Sequence, residues 1–200
     1  TTRRVGKAIE NYRFNDAAQA VYEFFWNDFC DWYIEASKLD LYSDKEEDKD
    51  RAISLLMHIL EESLRVLHPF LPFVTEEIYQ KLPEEIRHTH LITAPYPQPV
   101  NERQNQMVEA RFASLQEVIR AIRTIRSEFT IPPEKKVRVA VRTDTDFQAA
   151  DYISENHALI LNLVNAGSLT IGPDKPDASG AVPAAGNGFE AFVYVSELID

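Results

Sequence analysis

Positive charge gathers in one segment of the chain, residues 118–142, which reads VIRAIRTIRSEFTIPPEKKVRVAVR. Its only acidic residues are Glu128 and Glu134. Its basic residues are Arg120, Arg123, Arg126, Lys135, Lys136, Arg138 and Arg142. Guanidinium groups bind phosphate through paired hydrogen bonds and stack on nucleobases, while lysine ammonium groups bind phosphate as point charges. The chemistry that this segment offers is therefore anion binding, and RNA is one ligand that fits it.

The arginines of this segment recur every third residue, which places them on one broad side of a helix. The apolar residues of the adjacent arc are Leu115, Val118, Ile119, Ile122, Ile125 and Phe129. Arg126 falls at the edge of that arc, so we expect it to be partly buried and paired with a carboxylate. Arg120 and Arg123 are expected to point outward, where they could bind phosphate. An ordinary amphipathic helix with a basic face explains the same spacing equally well.

Groups that would perform covalent or metal chemistry are missing from the sequence. It contains no phosphate-binding glycine loop, dinucleotide fingerprint or nucleophile elbow. Cys30 is the only cysteine, and the close pair His88 and His90 has no neighbouring third ligand. We therefore expect no bound metal and no catalysis by this chain alone. The net charge of −11 also argues mildly against a strong nucleic-acid binder, since phosphate contacts need local positive charge.

The first half of the chain has apolar side chains at helical spacing, which predicts a bundle of about four helices. We expect helices over residues 15–39, 51–67 and 73–82, and a further helix in the opening segment. The proline-rich stretch 94–100 is predicted to be a linker.

The densest aromatic patch of the sequence is WNDFCDWYIE, residues 26–35. An α-helical wheel places Trp26, Phe29 and Tyr33 on a stripe that we expect to face the core, with Trp32 beside that stripe. The stripe contains Tyr22, Phe25, Trp26, Phe29 and Tyr33. Carboxylates occupy much of the far side of the helix and would repel RNA phosphate. This patch is therefore interpreted as core scaffolding and not as a binding site.

The second half combines helix and strand patterns. A long helix over about 105–129 is expected to end before the proline pair 132–133. Strands are predicted at 136–143, 168–171 and 189–195, with helical spacing over 146–165. Residues 172–188 are small or are glycine and proline, and they are predicted to form a loop. The expected fold is mainly α, with a helical bundle over residues 1–100 and a small α+β module of about three strands over 101–200.

Three stretches resemble, in order and spacing, the C-terminal region of the valyl-tRNA synthetase family, which belongs to the class I aminoacyl-tRNA synthetases. They are FWNDFCDWYIEASK, LRVLHPFLPFVTEEIYQKLP and VIRAIRTIRSEFTIPPEKK. The closing GFEAFVYVSELID resembles the segment before that family's terminal coiled coil. The resemblance covers most of the chain and is weakest at residues 40–50 and 173–188.

This resemblance implies a helical anticodon-binding domain followed by a small α/β junction domain. It implies a cytoplasmic protein whose partners are valine tRNA and the catalytic and editing domains of the same parent chain, without membrane association. The whole enzyme of that family joins valine to its tRNA with ATP and magnesium, but its two ATP-handling signatures are missing here. We therefore expect an excised fragment that binds the anticodon arm of tRNA without catalysis and without a cofactor of its own.

An anticodon is an unpaired loop whose bases stack on exposed aromatic or guanidinium groups. Phe14, with Arg13 beside it, lies at the predicted start of the first strong helix and is a candidate for such contacts. His68 and Phe70, at the proline break between the second and third predicted helices, form a second candidate surface. The complete set of predicted RNA contacts is Arg13, Phe14, His68, Phe70, Arg120, Arg123, Lys135 and Lys136. The structural alternatives are a helix-staple role for Phe14 and turn packing for the His68–Phe70 pair.

Two other functions stay open at this point. An acidic helical module could bind a basic protein partner through its surface charge. The same fold could also be the equivalent domain of an isoleucyl- or leucyl-tRNA synthetase. Binding measurements with the corresponding tRNAs separate these possibilities.

Overall fold

The computed structural model describes residues 1–196 of the chain, apart from the side chain of Arg103. The chain divides into two compact units, Thr1–Asn101 and Glu102–Asp200. The last four residues of the closing GFEAFVYVSELID stretch, 197–200, lie outside the described residues. The predicted fold class, mainly α with a small α+β module, is confirmed.

The first unit is built from helices. They are α1 (Thr2–Glu10), α2 (Phe14–Tyr22), a π-helix (Glu23–Ile34), α3 (Glu35–Leu41), α4 (Glu46–Leu67) and α5 (Pro72–Tyr79). Short 3₁₀ turns follow at Glu84–Ile86, Leu91–Thr93 and Asn101–Arg103. Three acidic residues in the first turn of α4 suit the positive end of its helix dipole, so this helix begins inside the charged stretch after α3.

Small side chains set the packing of α1 against α2. One buried cluster contains Val5 and Ala8 from α1, Ala17, Ala20 and Val21 from α2, and Val66 and Leu67 from α4. The α2 members are spaced by three and one residues, which is one face of an α-helix. Alanine at these positions lets the two helix backbones approach closely, so this face, and not the aromatic one, turns toward α1.

The aromatic side chains that the long second helix buries differ from the predicted stripe. The expected core stripe is wrong in part: Phe29 is buried, but Tyr22 and Trp26 are 59% and 55% exposed. Trp32, which was expected beside the stripe, is buried to 6% exposure. The buried face of α2 is set by Ala17, Ala20 and Val21, and at 100° per residue that face points away from Tyr22 and Trp26 and toward Trp32. The exposed Tyr22 and Trp26 rings stack with their centroids 6.3 Å apart.

A second buried cluster lies where α4 meets α5 and the turns that follow. It contains Leu64, Tyr79, Leu82 and Leu91. Beside it, the Glu61 carboxylate is 6% exposed and accepts hydrogen bonds from Arg65 Nη2 at 2.7 Å and from the Tyr79 hydroxyl at 3.3 Å. The Tyr79 hydroxyl accepts from the backbone N–H of His88 at 2.8 Å, and burial raises its pKa. This network ties the turn after α5 to the middle of α4.

The second unit begins with α6 (Gln106–Glu128), the long helix predicted before the proline pair. The Asn105 side chain caps it by accepting from the backbone N–H groups of Met107 at 3.1 Å and Val108 at 3.2 Å. The predicted apolar arc from Leu115 to Ile125 is buried, whereas Phe129 is 38% exposed.

A four-stranded sheet completes this unit. Its strands are β1 (Val137–Thr143), β2 (Ala166–Gly172), β3 (Ala181–Gly186) and β4 (Phe189–Tyr194), in the order β2-β1-β4-β3. β1 pairs in parallel with β2 and antiparallel with β4, so that Val139 lies between Leu169 and Val193. The helices α7 (Ala150–Glu155) and α8 (His157–Leu163) connect β1 to β2, and α6 packs against β3 and β4.

The prediction of a loop over residues 172–188 is wrong for its second half, where β3 forms. This strand is made of small residues with weak strand propensity, and it exists because β4 supplies an antiparallel partner along its whole length. Pro183 is tolerated because β3 is an edge strand. The two-residue turn Asn187–Gly188 joins the strands, and Gly188 has a φ of 79°, which favours glycine.

Candidate nucleic-acid interface

The corner between α1 and α2 presents two aromatic rings to solvent. Tyr12 is 82% exposed and Phe14 is 55% exposed. Their centroids lie 6.3 Å apart and their planes are inclined by 83°, an edge-to-face arrangement. Phe14 therefore is exposed as predicted, and its neighbour Tyr12, which the sequence did not single out, shares the same corner.

Charge at this corner is set by a few ion pairs. The Arg13 side chain is 59% exposed and pairs with Asp16 at 3.3 Å. Arg4 of α1 donates to Glu23 at 2.7 Å. Hydrogen bonds from Gln19 and Arg4 lower the pKa of Glu23, so that this carboxylate is ionised at neutral pH. The Arg13 guanidinium is held by one exposed carboxylate, a contact that phosphate can compete for at small cost.

At the break between α4 and α5, the two residues of the second predicted surface make contacts within the fold. Phe70 is half-buried and packs against the α1–α2 cluster, and His68 Nδ1 lies 2.9 Å from Thr75 Oγ1. These are the contacts expected if His68 and Phe70 pack the turn. RNA contact by either residue stays a prediction. Phe73 at the start of α5 is instead 90% exposed. A helical wheel indicates this exposure, because Phe73 lies opposite the buried α5 residue Thr75.

In the second unit, Arg126 is more buried than predicted and has different partners. It is 9% exposed, and its Nη2 donates to the backbone carbonyls of Pro132 and Lys135, each at 3.0 Å. The expected carboxylate partner is wrong: the turn after α6 curls back over the helix end and offers carbonyl oxygens instead. Asn165, the residue before β2, also contacts this turn: its Nδ2 donates to the Pro133 carbonyl at 2.6 Å. Burial lowers the pKa of Arg126.

Other basic side chains of the segment are also bound within the fold. Arg123, expected to point outward, is half-buried, and its Nε and Nη2 donate to the Leu163 carbonyl at 3.1 and 2.9 Å. Arg138 lies 3.6 Å over the centre of the Tyr194 ring. Arg142 is placed 3.1 Å from an Asp144 carboxylate oxygen. Intramolecular contacts of this kind reduce the positive charge that the segment offers to a ligand.

The remaining predicted cations lie at the surface. Lys135 and Lys136 are exposed on the turn between α6 and β1. Arg120 is exposed on α6, with its Nη2 3.4 Å from Gln116 Oε1. Because Arg126 holds the carbonyl of Lys135, the backbone beneath this lysine pair is fixed. Among the predicted contacts, the first unit thus has an exposed aromatic corner with Phe14 and Arg13, and the second unit has an exposed lysine turn with Lys135 and Lys136.

Removal of the Arg126 guanidinium is expected to loosen this turn. We expect Arg126→Met to lower the free energy of unfolding by about 2 kcal/mol, because two or more carbonyls lose a charged donor while the apolar stem is kept. Urea unfolding of Arg126→Met beside Arg120→Met, an exposed arginine of the same helix, measures the difference. Equal stabilities of the two variants would show that the carbonyl contacts contribute nothing.

No group of three or more histidine, cysteine, aspartate or glutamate side chains within residues 1–196 is placed to hold a metal ion. Among the helices that the structure describes, none is long and apolar enough to span a bilayer.

Comparison with known proteins shows the family of the chain. Residues 1–141 match the family described as the anticodon-binding domain of tRNA ligase. The chain belongs to that family, whose match includes the whole first unit and continues through α6 into β1.

The relatives that the chain resembles along its whole length are valine–tRNA ligases. That of Treponema pallidum is 45% identical, with 100% of this chain and 23% of the relative covered. That of Treponema denticola is 43% identical, with 98% of this chain and 22% of the relative covered. The Bacillus licheniformis protein is 36% identical, with 100% and 22% covered. The chain thus corresponds to the C-terminal region of these relatives and spans less than a quarter of their length.

Proposed function

We propose that this chain binds the anticodon arm of a tRNA, with unpaired bases at the α1–α2 corner of the first unit. In the second unit, the lysine turn taken by itself is proposed as a surface for backbone phosphates. The observation that carries the proposal is the exposed aromatic pair with Arg13 beside it, inside the region that matches the anticodon-binding family. Aromatic rings accept any base on their faces, and a neighbouring guanidinium holds the phosphate that follows.

The finer assignment is to valine tRNA. Its support is the 35–45% identity to valine–tRNA ligases over essentially the whole chain. As part of a longer cytoplasmic protein of that kind, the chain would position tRNA for ligation of valine by a catalytic domain that uses ATP and magnesium. An editing domain of the same parent chain would be a further partner. No cofactor is assigned to the chain itself.

The acidic balance of the chain limits how tightly it can hold RNA. A net charge of −11 repels phosphate at long range, and five of the seven basic residues in the 118–142 segment are engaged with other groups of the fold. We therefore expect weak, salt-sensitive binding by these residues alone, with further affinity supplied by other domains of a parent chain.

Fluorescence anisotropy with labelled anticodon stem-loops tests the proposal. The 200-residue chain is titrated with the stem-loop of valine tRNA and with stem-loops of isoleucine, leucine and an unrelated tRNA, at two salt concentrations. Preference for the valine stem-loop is expected. Preference for the isoleucine or leucine stem-loop would overturn the valine assignment, and absence of binding to every RNA would overturn the proposed function and favour an acidic protein-interaction module.

The lysine turn has its own expected result. Lys135→Ala with Lys136→Ala should weaken binding most at low salt, because each lost phosphate contact lowers the slope of log affinity against log salt by roughly 0.7–0.9. Lys175→Ala, an exposed lysine of the same unit, is the matched control. A double variant with the parent's slope would remove the lysine turn from the interface.

A further inference from the structure

Tyr12 ends α1 in a backbone conformation that tyrosine rarely adopts. Its φ is 56°, in the left-handed region. The N–H of Tyr12 donates to the Ile9 carbonyl at 2.9 Å and that of Arg13 to the Ala8 carbonyl at 2.8 Å. This pair of hydrogen bonds defines a Schellman motif with Tyr12 at the position where glycine, and less often asparagine, normally stands.

The fold gives no packing reason for a large side chain at this position. A left-handed residue with a Cβ is disfavoured because the Cβ crowds the following carbonyl oxygen. Packing against a core could offset that cost, but the Tyr12 ring is 82% exposed. Strained backbone of this kind is concentrated at functional sites. The geometry of α1 and α2 would therefore be served at least as well by glycine.

The left-handed backbone conformation of Tyr12 determines where its ring lies at the proposed interface. It places the Tyr12 ring edge-to-face with Phe14, so that the two rings meet as two walls at an angle of 83°. The exposed Arg13 side chain lies between them in sequence. A flat base resting on one wall has its edge against the other, which is a more specific seat than a single ring provides.

An adjacent groove offers a path for the RNA backbone. It has a volume of about 520 Å³ and is lined on the α1 side by Arg3, Lys7 and Asn11, directly before Tyr12. Opposite them lie Tyr96 and the prolines that follow it. The Glu10 carboxylate also lines the groove, and Arg3 donates to the Asn101 side chain, so Lys7 is the cation that remains for a phosphate of a single strand whose base turns onto the rings.

We propose that Tyr12 is a base-contacting residue, whose ring and that of Phe14 together seat one unpaired nucleobase of the bound RNA. This inference rests on the proposed function and adds to it a residue and a two-walled site. It predicts opposite effects of one substitution on stability and on binding. Loss of the ring should weaken binding while relief of the left-handed strain keeps or improves the fold.

The test is Tyr12→Gly, measured in the 200-residue chain against the valine anticodon stem-loop. Affinity is expected to fall roughly 5- to 100-fold, the range of one lost base–aromatic stack. The melting temperature is expected to stay equal to that of the parent or to rise by about 2–4 °C. Tyr12→Phe should bind as the parent does, and Tyr42→Gly, which removes an 81% exposed tyrosine elsewhere in the first unit, should not weaken binding.

Two further arms separate this inference from the proposed function. Abasic substitutions are placed at each loop position in turn, and Tyr12→Gly and Phe14→Ala are each compared with the parent on every abasic RNA. Both variants should lose their effect at the same single position, where the base that they seat is missing. If the parent binds the stem-loop and Tyr12→Gly binds equally well, or weakens only with a fall in melting temperature, Tyr12 is not a base contact. If the parent does not bind, the proposed function fails and this inference fails with it.

Discussion

Glu61→Ala is expected to lower the free energy of unfolding by about 3–5 kcal/mol, the usual cost of removing one partner of a buried ion pair. Glu61 is 6% exposed, and the side chain of its partner Arg65 is 16% exposed. Without the carboxylate, Arg65 keeps a hydrogen bond to the Pro95 carbonyl at 2.9 Å, but its charge loses the closer of its two counter-ions. The Tyr79 hydroxyl loses its acceptor at the same time.

The next residue along α4 supplies a matched control. The Glu62 side chain is 38% exposed, and its oxygen lies 4.0 Å from Arg65 Nη2. Exposed pairs of this kind contribute at most about 1 kcal/mol, so Glu62→Ala should change stability little. Urea unfolding followed by circular dichroism measures both variants. If Glu61→Ala and Glu62→Ala cost the same, the network around Tyr79 does not hold α4 and α5 together.

The two tryptophans of the π-helix are expected to respond very differently to truncation. Trp32→Ala should destabilise the protein by about 3–5 kcal/mol, because a buried indole is replaced by a cavity. Trp26→Ala should cost about 1 kcal/mol or less, because its ring is 55% exposed and mainly contacts the exposed Tyr22. The pair is well matched, since both residues are tryptophan and lie six positions apart on one helix.

Thermal unfolding of the two variants distinguishes the observed core face from the stripe predicted from the sequence. If Trp26 were buried on a stripe with Tyr22 and Phe29, the larger loss of stability would follow Trp26→Ala. The order of the two effects therefore reports which face of the helix packs into the core in solution. Equal effects would contradict the burial difference on which the assignment of the core face depends.

The two proposed RNA surfaces would bind RNA through different interactions. The α1–α2 corner offers stacking, which is largely independent of salt, whereas the lysine turn offers charge, which salt screens. Measurement of both salt dependences on one stem-loop separates their contributions. A protein with a net charge of −11 that still binds RNA should owe a large share of its affinity to stacking.

Much of the architecture followed from local sequence patterns. The apolar arc of α6 and its end before Pro132 were predictable because the helical period and a proline stop act over a few residues. Strand β1 was predictable because alternation between Val137 and Thr143 leaves one face apolar. The exposure of Phe14 was also anticipated from its position ahead of a helix.

Several assignments failed for reasons that lie outside any local window. Strand β3 exists because β4 pairs with it, and its own alanines and Pro183 carry no strand signal. Arg126 found carbonyl partners because the turn after α6 folds back over the helix end. Trp32 is buried and Trp26 is exposed because the packing of Ala17, Ala20 and Val21 against α1 and α4 fixes which face of this helix is covered.

The sequence by itself determined the helices of the first unit, the α+β character of the second, the basic segment and the membership of a tRNA-ligase family, because propensity, periodicity and similarity are properties of the chain. Only the tertiary structure decided which cations stay at the surface and which aromatic rings remain exposed. Tyr12 shows the reason most clearly. Its residue type suggests burial, but the hydrogen bonds that end α1 and the close packing of small side chains between α1 and α2 hold its ring in solvent beside Phe14.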